Sequence, residues 1–291
     1  MTRKSLSGNL RGMTTVAVAG ILVVLLMVAG CVGDQSAGAP ASPSEQITVT
    51  GSTTVLPIAE KEKEAFEATH TSAEIMVSGG GSSVGIKAVG EGTADIGMTS
   101  RDLKPEEVAS YPGLVKHEIA SDAILLIVNP ENSVDRLTLD QVRGIYNGTY
   151  TSWDQVGGSD QAIVVVGRDS ASGTREFFSE YVLAKEDFTK KQEEFNSNGG
   201  IQQKVSQTPG AIGYVGLGYT DGVKALRLDV GGTAIEPTLE NITSGRYPIS
   251  RPLFMLTNGE PGGVAQQYLD FIMSTEGQEI VAGVDYIPVQ G

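Results

Sequence analysis

Short apolar runs rich in β-branched residues alternate with helical patterns along most of the chain. The run Ile47–Thr50 precedes a helical pattern over Val55–Ala68, and the run Ala73–Ser78 precedes a helical pattern over Val84–Gly90. β-Branched runs of this length favour strands, and their alternation with helices is typical of a largely parallel sheet. The pattern therefore predicts an α/β fold.

The same alternation continues to the end of the chain. The segment 46–291 is longer than a single hydrophobic core usually supports, so we expect two lobes. The further predicted strands are Ala94–Met98, Val115–Ile119, Ala123–Val128, Ile163–Val166 and Ala211–Val215; the further predicted helices are Pro105–Ser110, Thr138–Tyr146, one from Thr174, one through Gln207 after a turn at Asn198–Gly200, Val264–Met273 and Glu276–Val281.

Residues 1–30 have the pattern of a targeting segment. Three basic residues, Arg3, Lys4 and Arg11, precede the apolar stretch Met13–Gly30, and small residues lead directly to the only cysteine, Cys31. This pattern is typical of a lipoprotein signal, after which Cys31 is lipidated; an uncleaved N-terminal membrane helix is the alternative. Either interpretation places the body of the chain outside the cytoplasm, anchored to the outer face of the membrane. The small, polar residues 31–45 are expected to form a flexible tether.

The chain is strongly acidic. Its formal net charge of −14 becomes −17 without residues 1–30, which carry three basic and no acidic side chains. This charge argues against nucleic acid and against general attraction to anionic lipid. A buried anion site remains compatible with it, because surface charges are screened beyond about 8 Å. With a single cysteine, no internal disulfide is expected.

One strand-to-helix turn has the composition of an anion site. The segment Arg168–Thr174 follows an apolar run and leads into a helical pattern, offering hydroxyls, backbone N–H groups and a guanidinium. Unpaired N–H groups and the helix dipole favour an oxyanion at such a position. Arg168 is the strongest candidate, because a guanidinium can donate two hydrogen bonds to a tetrahedral anion. Asp169 either orients Arg168 or only caps the turn.

Two other turns, Gly51–Thr54 and Gly79–Ser83, share this composition, and the strand end Thr99–Arg101 is a further candidate. The carboxyl ends of strands in open α/β sheets converge on one crevice, so these turns are expected to face a common ligand. A single turn of this kind is explained by helix capping alone, whereas three turns with an arginine favour an oxyanion site. Arg101 and Arg175 each neighbour an acidic residue, and a surface ion pair would explain either.

These segments together resemble the PstS family of phosphate-binding proteins, the solute receptors of phosphate ABC importers. The resemblance implies a two-lobed periplasmic-binding-protein (Venus flytrap) fold, with a mostly parallel sheet flanked by helices in each lobe. It also implies a monomer without cofactor or catalysis, which closes on one phosphate and delivers it to the permease subunits. The matching segments, which cover nearly all of residues 46–291, are Gly51–Pro57, Gly79–Gly85, Ala94–Arg101, Arg168–Thr174 and Pro209–Val215.

The resemblance also implies the residues of the site and the hinge. Hinge crossings are expected near Ile127–Pro130 and Val215–Asp221, which gives lobe 1 residues 46–127 and 221–291 and lobe 2 residues 128–220. The expected phosphate contacts are Thr53, Thr54, Val55, Ser82, Ser100, Arg168, Ser172, Gly173 and Thr174, with Ser52, Arg101 and Asp169 as additional candidates.

One position departs from the family pattern and keeps other ligands open. Some members place an aspartate where this chain has Ser100, and that carboxylate accepts the proton of monohydrogen phosphate, which sulfate lacks. A hydroxyl discriminates less strongly, so receptors for sulfate or molybdate are alternatives, unless Asp102 or Asp169 supplies the acceptor.

A surface-interaction protein that uses the fold without transport and an enzyme are the remaining alternatives. Gly81–Gly85 fits the G-x-S-x-G pattern of serine hydrolases, but the only histidine downstream is His117, and the required acid should precede it. His70 and His117 lie near no other metal-ligand residues in the sequence, and both are expected at the surface without a metal.

Overall fold

The structure is a computed structural model that describes residues 45–289; the expected signal segment, Cys31 and the tether up to residue 44 lie outside the described residues. The strands are β1 (Glu45–Gly51), β2 (Ala73–Gly79), β3 (Ile96–Thr99), β4 (Leu114–Ala123), β5 (Leu125–Val128), β6 (Arg136–Thr138), β7 (Val164–Arg168), β8 (Glu193–Phe195), β9 (Ala211–Val215), β10 (Lys224–Ala225), β11 (Arg227–Val230), β12 (Thr233–Ile235), β13 (Ser250–Asn258) and β14 (Ile287–Pro288).

The helices largely follow the predicted pattern. Pro57 at the start of the first helix and the Thr138 cap of the fourth, whose hydroxyl accepts from the Gln141 N–H, mark the expected helix starts. The helices are α1 (Leu56–Thr69), α2 (Ser82–Gly90), α3 (Pro105–Ser110), α4 (Leu139–Tyr146), α5 (Gly173–Tyr181), α6 (Asn198–Gln207), α7 (Leu239–Thr243), α8 (Gly263–Met273) and α9 (Thr275–Gly283), with a 3-10 helix at Trp153–Val156.

The strands form two larger sheets and one small one. The first has the order β14-β4-β13-β3-β1-β2, the second β10-β5-β9-β7-β8 and the third β12-β11-β6. In the two larger sheets the expected parallel character holds for β3-β1-β2 and for β9-β7-β8, and in the small sheet it holds for β11-β6. The other neighbours in the two larger sheets are antiparallel, and β4 leads into β5 without an intervening helix.

Each larger sheet has its own hydrophobic core, as two lobes require. The first core includes Val49, Ile58 and Met98, and the second includes Trp153, Phe178 and Tyr214. The two clusters share only β4 among the longer strands, with Ile119 in the first core and Ala123 in the second, so burial of apolar side chains stabilises each sheet mainly with its own helices.

Two sequence predictions about local structure are wrong. The single strand predicted over Ala123–Val128 is divided at Ile124, where the chain leaves the first sheet for the second and the Ile124 N–H donates to Ile249 O at 2.9 Å. The turn predicted at Asn198–Gly200 is the first turn of α6, because the Ser197 hydroxyl caps it by accepting from the Gly200 N–H at 3.1 Å.

Strand pairing divides the chain at different residues from the expected hinge crossings. By strand pairing, the chain returns to the first sheet just before Ser250, since β10 still pairs with β5 and β13 pairs with β3 and β4. The extent of the lobes as moving units stays a prediction. None of the helices between residues 45 and 289 combines the length and apolar character needed to cross a bilayer.

Candidate functional site

The carboxyl ends of the parallel strands bring the predicted turns together. The loop after β1 is held to the other strand ends by backbone bonds from Ser52 N to Met98 O (2.9 Å) and from Gly81 N to Gly51 O (2.8 Å). The loop after β7 approaches from the second sheet, where Ala171 O accepts from the Ser83 N–H at 3.1 Å. The turns predicted to share a ligand therefore lie against one another.

Glycines make this close approach feasible. A Cβ at Gly81, whose φ is +98°, would lie 2.6 Å from Ala171 O, so a side chain there would push the two turns apart. A Cβ at Gly173 would lie 2.3 Å from the Ser82 hydroxyl oxygen and 3.0 Å from that of Ser100. The start of α5 therefore touches hydroxyls that belong to the first sheet.

The first turn contributes buried hydroxyls, but two of its amides are already bonded. Ser52, Thr53 and Thr54 are all buried. Thr54 N donates to the Ser52 hydroxyl at 3.2 Å, and Val55 N donates to Ser52 O at 3.1 Å. Ser52 thus fixes the turn, and the Thr53 and Thr54 side chains are the groups of this loop that face α5 and α6.

Ser82 and Ser100 form a buried pair on the first sheet. Their hydroxyl oxygens are 3.3 Å apart, and Ser100 N donates to the Ser82 hydroxyl at 3.1 Å. Because Ser82 is also the first residue of α2, its hydroxyl and backbone N–H lie at the positive end of a helix dipole. A small anion there would meet donors from two strand ends.

Arg168, the last residue of β7, is the most unusual charge in the cluster. Its side chain is 1% exposed and donates to two backbone carbonyls, Phe195 O at 3.3 Å and Asn196 O at 3.0 Å. Among residues 45–289 no carboxylate forms an ion pair with it. Burial lowers the pKa of this guanidinium, since the charged form loses hydration. A buried cation without a counter-ion is costly unless an anion joins it.

The first turn of α5 adds further donors. Ser172 caps the helix, accepting from the Arg175 N–H at 3.2 Å, and Thr174 is buried with its hydroxyl oxygen 3.2 Å from that of Thr54. The Gly173 and Thr174 N–H groups, at the open end of the helix, donate no hydrogen bond to any residue that the structure describes. Unpaired first-turn amides of this kind bind anions.

Arg101 is committed to carboxylates rather than to the hydroxyl cluster. It is 5% exposed, forms two hydrogen bonds to Glu107 at 2.7 and 2.8 Å, and lies 2.7 Å from Glu176 of α5. Burial opposes its charge, but these carboxylates outweigh burial and raise the pKa of Arg101. Of the two alternatives for Arg101, a surface ion pair does not describe it: its ion pairs are buried and connect the end of β3 to α3 and α5. Arg175 is more exposed and pairs with Glu194 at 2.7 Å.

The two aspartates considered as proton acceptors differ in position. Asp102 has a largely exposed side chain that pairs with Lys116. Asp169 follows Arg168, and its Oδ1 is buried with no hydrogen-bond partner among residues 45–289. Of the two, only Asp169 keeps an unused acceptor beside the candidate site.

Three buried polar residues in the cluster were not predicted from the sequence. Asn198, at the start of α6, donates through Nδ2 to the hydroxyls of Thr53 and Thr54, both at 3.1 Å. Arg251 forms an ion pair with Asp122 and also contacts Thr54. The available signal was a charged residue inside an apolar run, as Asp122 is within Ile119–Val128.

The geometry does not assemble a hydrolase triad. His117 lies on β4, half-buried rather than at the surface, with Nε2 2.9 Å from the Thr257 hydroxyl. Ser82 is instead bonded to Ser100. Burial lowers the pKa of His117. No cluster of three metal-ligating side chains occurs in the part of the chain that the structure describes.

Comparison with known proteins agrees with this geometry. The chain matches the model of the PBP superfamily domain over residues 36–276. It is 31% identical over 279 residues to the phosphate-binding protein PstS of Bacillus subtilis (strain 168), with 92% of each chain covered. The chain belongs to the PstS family. The PstS of Borreliella burgdorferi is 32% identical over 253 residues, which cover 84% of this chain and 90% of that relative.

Solved structures confirm the two-lobed fold of this PstS-family chain. It is similar to a crystal structure, with bound phosphate, of a candidate phosphate ABC transporter substrate-binding protein from Clostridium perfringens: TM-score 0.80, 40% identity, 84% of this chain and 100% of that chain. An ABC-type phosphate transport receptor from Vibrio cholerae gives a TM-score of 0.68 at 32% identity, again with 84% and 100% covered.

Proposed function

We propose that this PstS-family chain is the extracytoplasmic receptor of a phosphate ABC importer, and that it binds one inorganic phosphate between its two sheets. The relatives carry the names of binding proteins, and the similar C. perfringens structure holds phosphate. We therefore assign the chain a binding and delivery role without catalysis, with the permease subunits of the importer as partners.

The observation that carries this proposal is that the buried Arg168 has no carboxylate partner, and the amides at the start of α5 no acceptor, within residues 45–289, while hydroxyls from both sides lie close by. A tetrahedral anion would neutralise the guanidinium and accept from these donors. The groups proposed to contact phosphate remain Thr53, Thr54, Val55, Ser82, Ser100, Arg168, Ser172, Gly173 and Thr174, with Ser52, Arg101 and Asp169 as further candidates. The Val55 contact requires its amide to give up or share its bond to Ser52 O.

The close approach of the two sheets supports hinge closure around the ligand. Thr54 belongs to the first sheet and Thr174 to the second, and their hydroxyl oxygens are 3.2 Å apart. A phosphate contacting both would be enclosed when the lobes close and would be released when they part. We therefore propose that binding and closure occur together.

Isothermal titration calorimetry of the purified full chain with phosphate, sulfate and molybdate in parallel tests the function. We expect saturable binding of one phosphate per chain without turnover. The absence of phosphate binding together with saturable binding of sulfate or molybdate would assign another oxyanion to the same fold. That result would also identify the Ser100 hydroxyl as an inadequate substitute for the family's carboxylate.

We further propose that the chain is anchored to the outer face of the membrane through a lipid on Cys31 and functions as a monomer. The sequence pattern before Cys31 supports this proposal. Wild-type chain should fractionate with membranes, whereas Cys31→Ser should abolish lipid labelling. Membrane attachment of unlabelled, unprocessed wild-type chain would instead support an N-terminal helix as the anchor.

A further inference from the structure

A buried ion pair joins the crossings between the two sheets. Asp122 lies two residues before the crossing at Ile124, and Arg251 is the second residue of β13, directly after the other crossing. Both side chains have no solvent exposure, and Arg251 Nη2 is 2.8 Å from Asp122 Oδ2. Asp122 Oδ1 accepts from the Leu217 N–H at 2.9 Å. One carboxylate thus holds both crossings and the segment after β9.

The same arginine reaches the candidate site. Arg251 Nη2 lies 3.0 Å from the Thr174 hydroxyl oxygen and 3.3 Å from the Thr54 hydroxyl oxygen. Its guanidinium carbon is also 5.7 Å from the centre of the Phe177 ring on α5. Arg251 therefore contacts groups from both sheets at the point where they meet.

The chemistry of these contacts fixes the direction of the hydrogen bonds. An arginine N–H donates and never accepts, so the Thr54 and Thr174 oxygens accept from Arg251. Each hydroxyl has one proton of its own, and only one of the two protons can bridge the 3.2 Å between the two oxygens. The other proton remains free to donate to a group outside the pair. An anion requires such a hydrogen-bond donor.

The charge of Arg251 has a different use from that of Arg168. Asp122 neutralises Arg251 at 2.8 Å, whereas no carboxylate of the described residues pairs with Arg168. Net attraction for an anion should therefore come mainly from Arg168, and Arg251 contributes orientation.

We propose that Arg251, held by Asp122, is a positioning residue that orients the Thr54 and Thr174 hydroxyls so that one of them donates to phosphate, and that it couples both to the sheet crossings. The inference rests on the proposed phosphate function. It predicts that the energetic effects of Arg251 and Thr174 on binding are not independent.

A double-mutant cycle on the full chain tests this coupling. Arg251→Lys keeps a positive charge beside Asp122 but removes the guanidinium Nη2 that reaches both hydroxyls. Calorimetry should show phosphate affinity reduced by about tenfold or more in Arg251→Lys and in Thr174→Val. The double variant should lie within about threefold of the weaker single variant, because both changes remove the same oriented contact. Arg143→Lys, on α4 and outside the site, is the matched control and should bind like wild type.

The outcomes separate the inference from the proposed function. Effects that multiply in the double variant, or an Arg251→Lys variant that binds like wild type, would overturn the positioning role while wild-type phosphate binding stands. Wild-type chain that binds no phosphate would refute the proposed function, and the inference with it. If Arg251→Lys does not unfold cooperatively, a variant carrying both Asp122→Asn and Arg251→Gln replaces Arg251→Lys in the cycle. Removing both charges together leaves no uncompensated buried charge.

Discussion

Replacing Arg168 by alanine tests the electrostatic basis of the site. The guanidinium is 1% exposed and, in residues 45–289, is bonded only to carbonyl oxygens. Losing a buried, hydrogen-bonded charge partner of an anion costs about 2–5 kcal/mol of binding free energy. This corresponds to a dissociation constant for phosphate that is about 30-fold to several thousand-fold larger.

The unliganded protein should be affected much less than binding. Arg168→Ala removes two hydrogen bonds to carbonyls, but it also removes the desolvation cost of an unpaired buried cation. Calorimetric titration with phosphate, together with thermal unfolding without ligand, separates the two effects. Arg168→Lys should bind with intermediate affinity, because the ammonium keeps the charge but loses the two-pronged geometry. Arg143→Ala is the control outside the site. A phosphate affinity of Arg168→Ala within about threefold of wild type would refute the electrostatic role of Arg168, because losing a buried charge pair should reduce the affinity far more.

Two further predictions concern stability and close packing. Glu62 is fully buried without a hydrogen-bond partner in the described chain, and burial, reinforced by Glu276, raises its pKa to about 8. The stability that Glu62 contributes is fully present below its unfolded pKa near 4.5 and is lost as the pH rises through about 8. In denaturant titrations, the unfolding free energy of Glu62→Gln should therefore exceed that of wild type by up to ~5 kcal/mol at pH 8 to 9 and match it near pH 4.5. An equal difference at both pH values would contradict this. Gly173→Ala should weaken phosphate binding by about tenfold or more, because the new Cβ would lie 2.3 Å from the Ser82 hydroxyl oxygen. Gly199→Ala is the control and should bind phosphate normally in the same titration, because the atom nearest to its new Cβ is 4.0 Å away. Equal phosphate affinities of the two variants would contradict this.

Local elements were predictable from the sequence because they depend on neighbouring residues. The helix Pro105–Ser110 has the predicted bounds, and α1 differs by one residue from the predicted Val55–Ala68. Proline at the first helical positions and capping hydroxyls supply such signals locally. The three polar turns were also predictable as neighbours, since the ends of parallel strands converge.

Long-range pairing was not predictable in the same way. Asp122 and Arg251 are separated by 129 positions, and neither lies in a turn with a recognisable motif. Arg101 has an acidic neighbour, Asp102, yet it pairs with Glu107 and Glu176 instead. The identity of a buried charge partner depends on how the two sheets meet, and hydrophobic periodicity carries no information about that.

The parallel character of the sheets shows the same limit. Strand–helix alternation indicated parallel strands correctly for β3-β1-β2 and β9-β7-β8. The apolar run Ala123–Val128 gave no sign that the chain changes sheets at Ile124, since a strand buried in either sheet has the same apolar pattern.

A crystal structure of the full chain with phosphate would show directly whether the anion lies between the two sheets at Arg168. We expect one phosphate bonded to the Arg168 guanidinium and to the first-turn amides of α5, with one hydroxyl of the Thr54–Thr174 pair donating to it. A phosphate bound away from Arg168, or a crystal saturated with phosphate that shows no anion between the two sheets, would contradict the account.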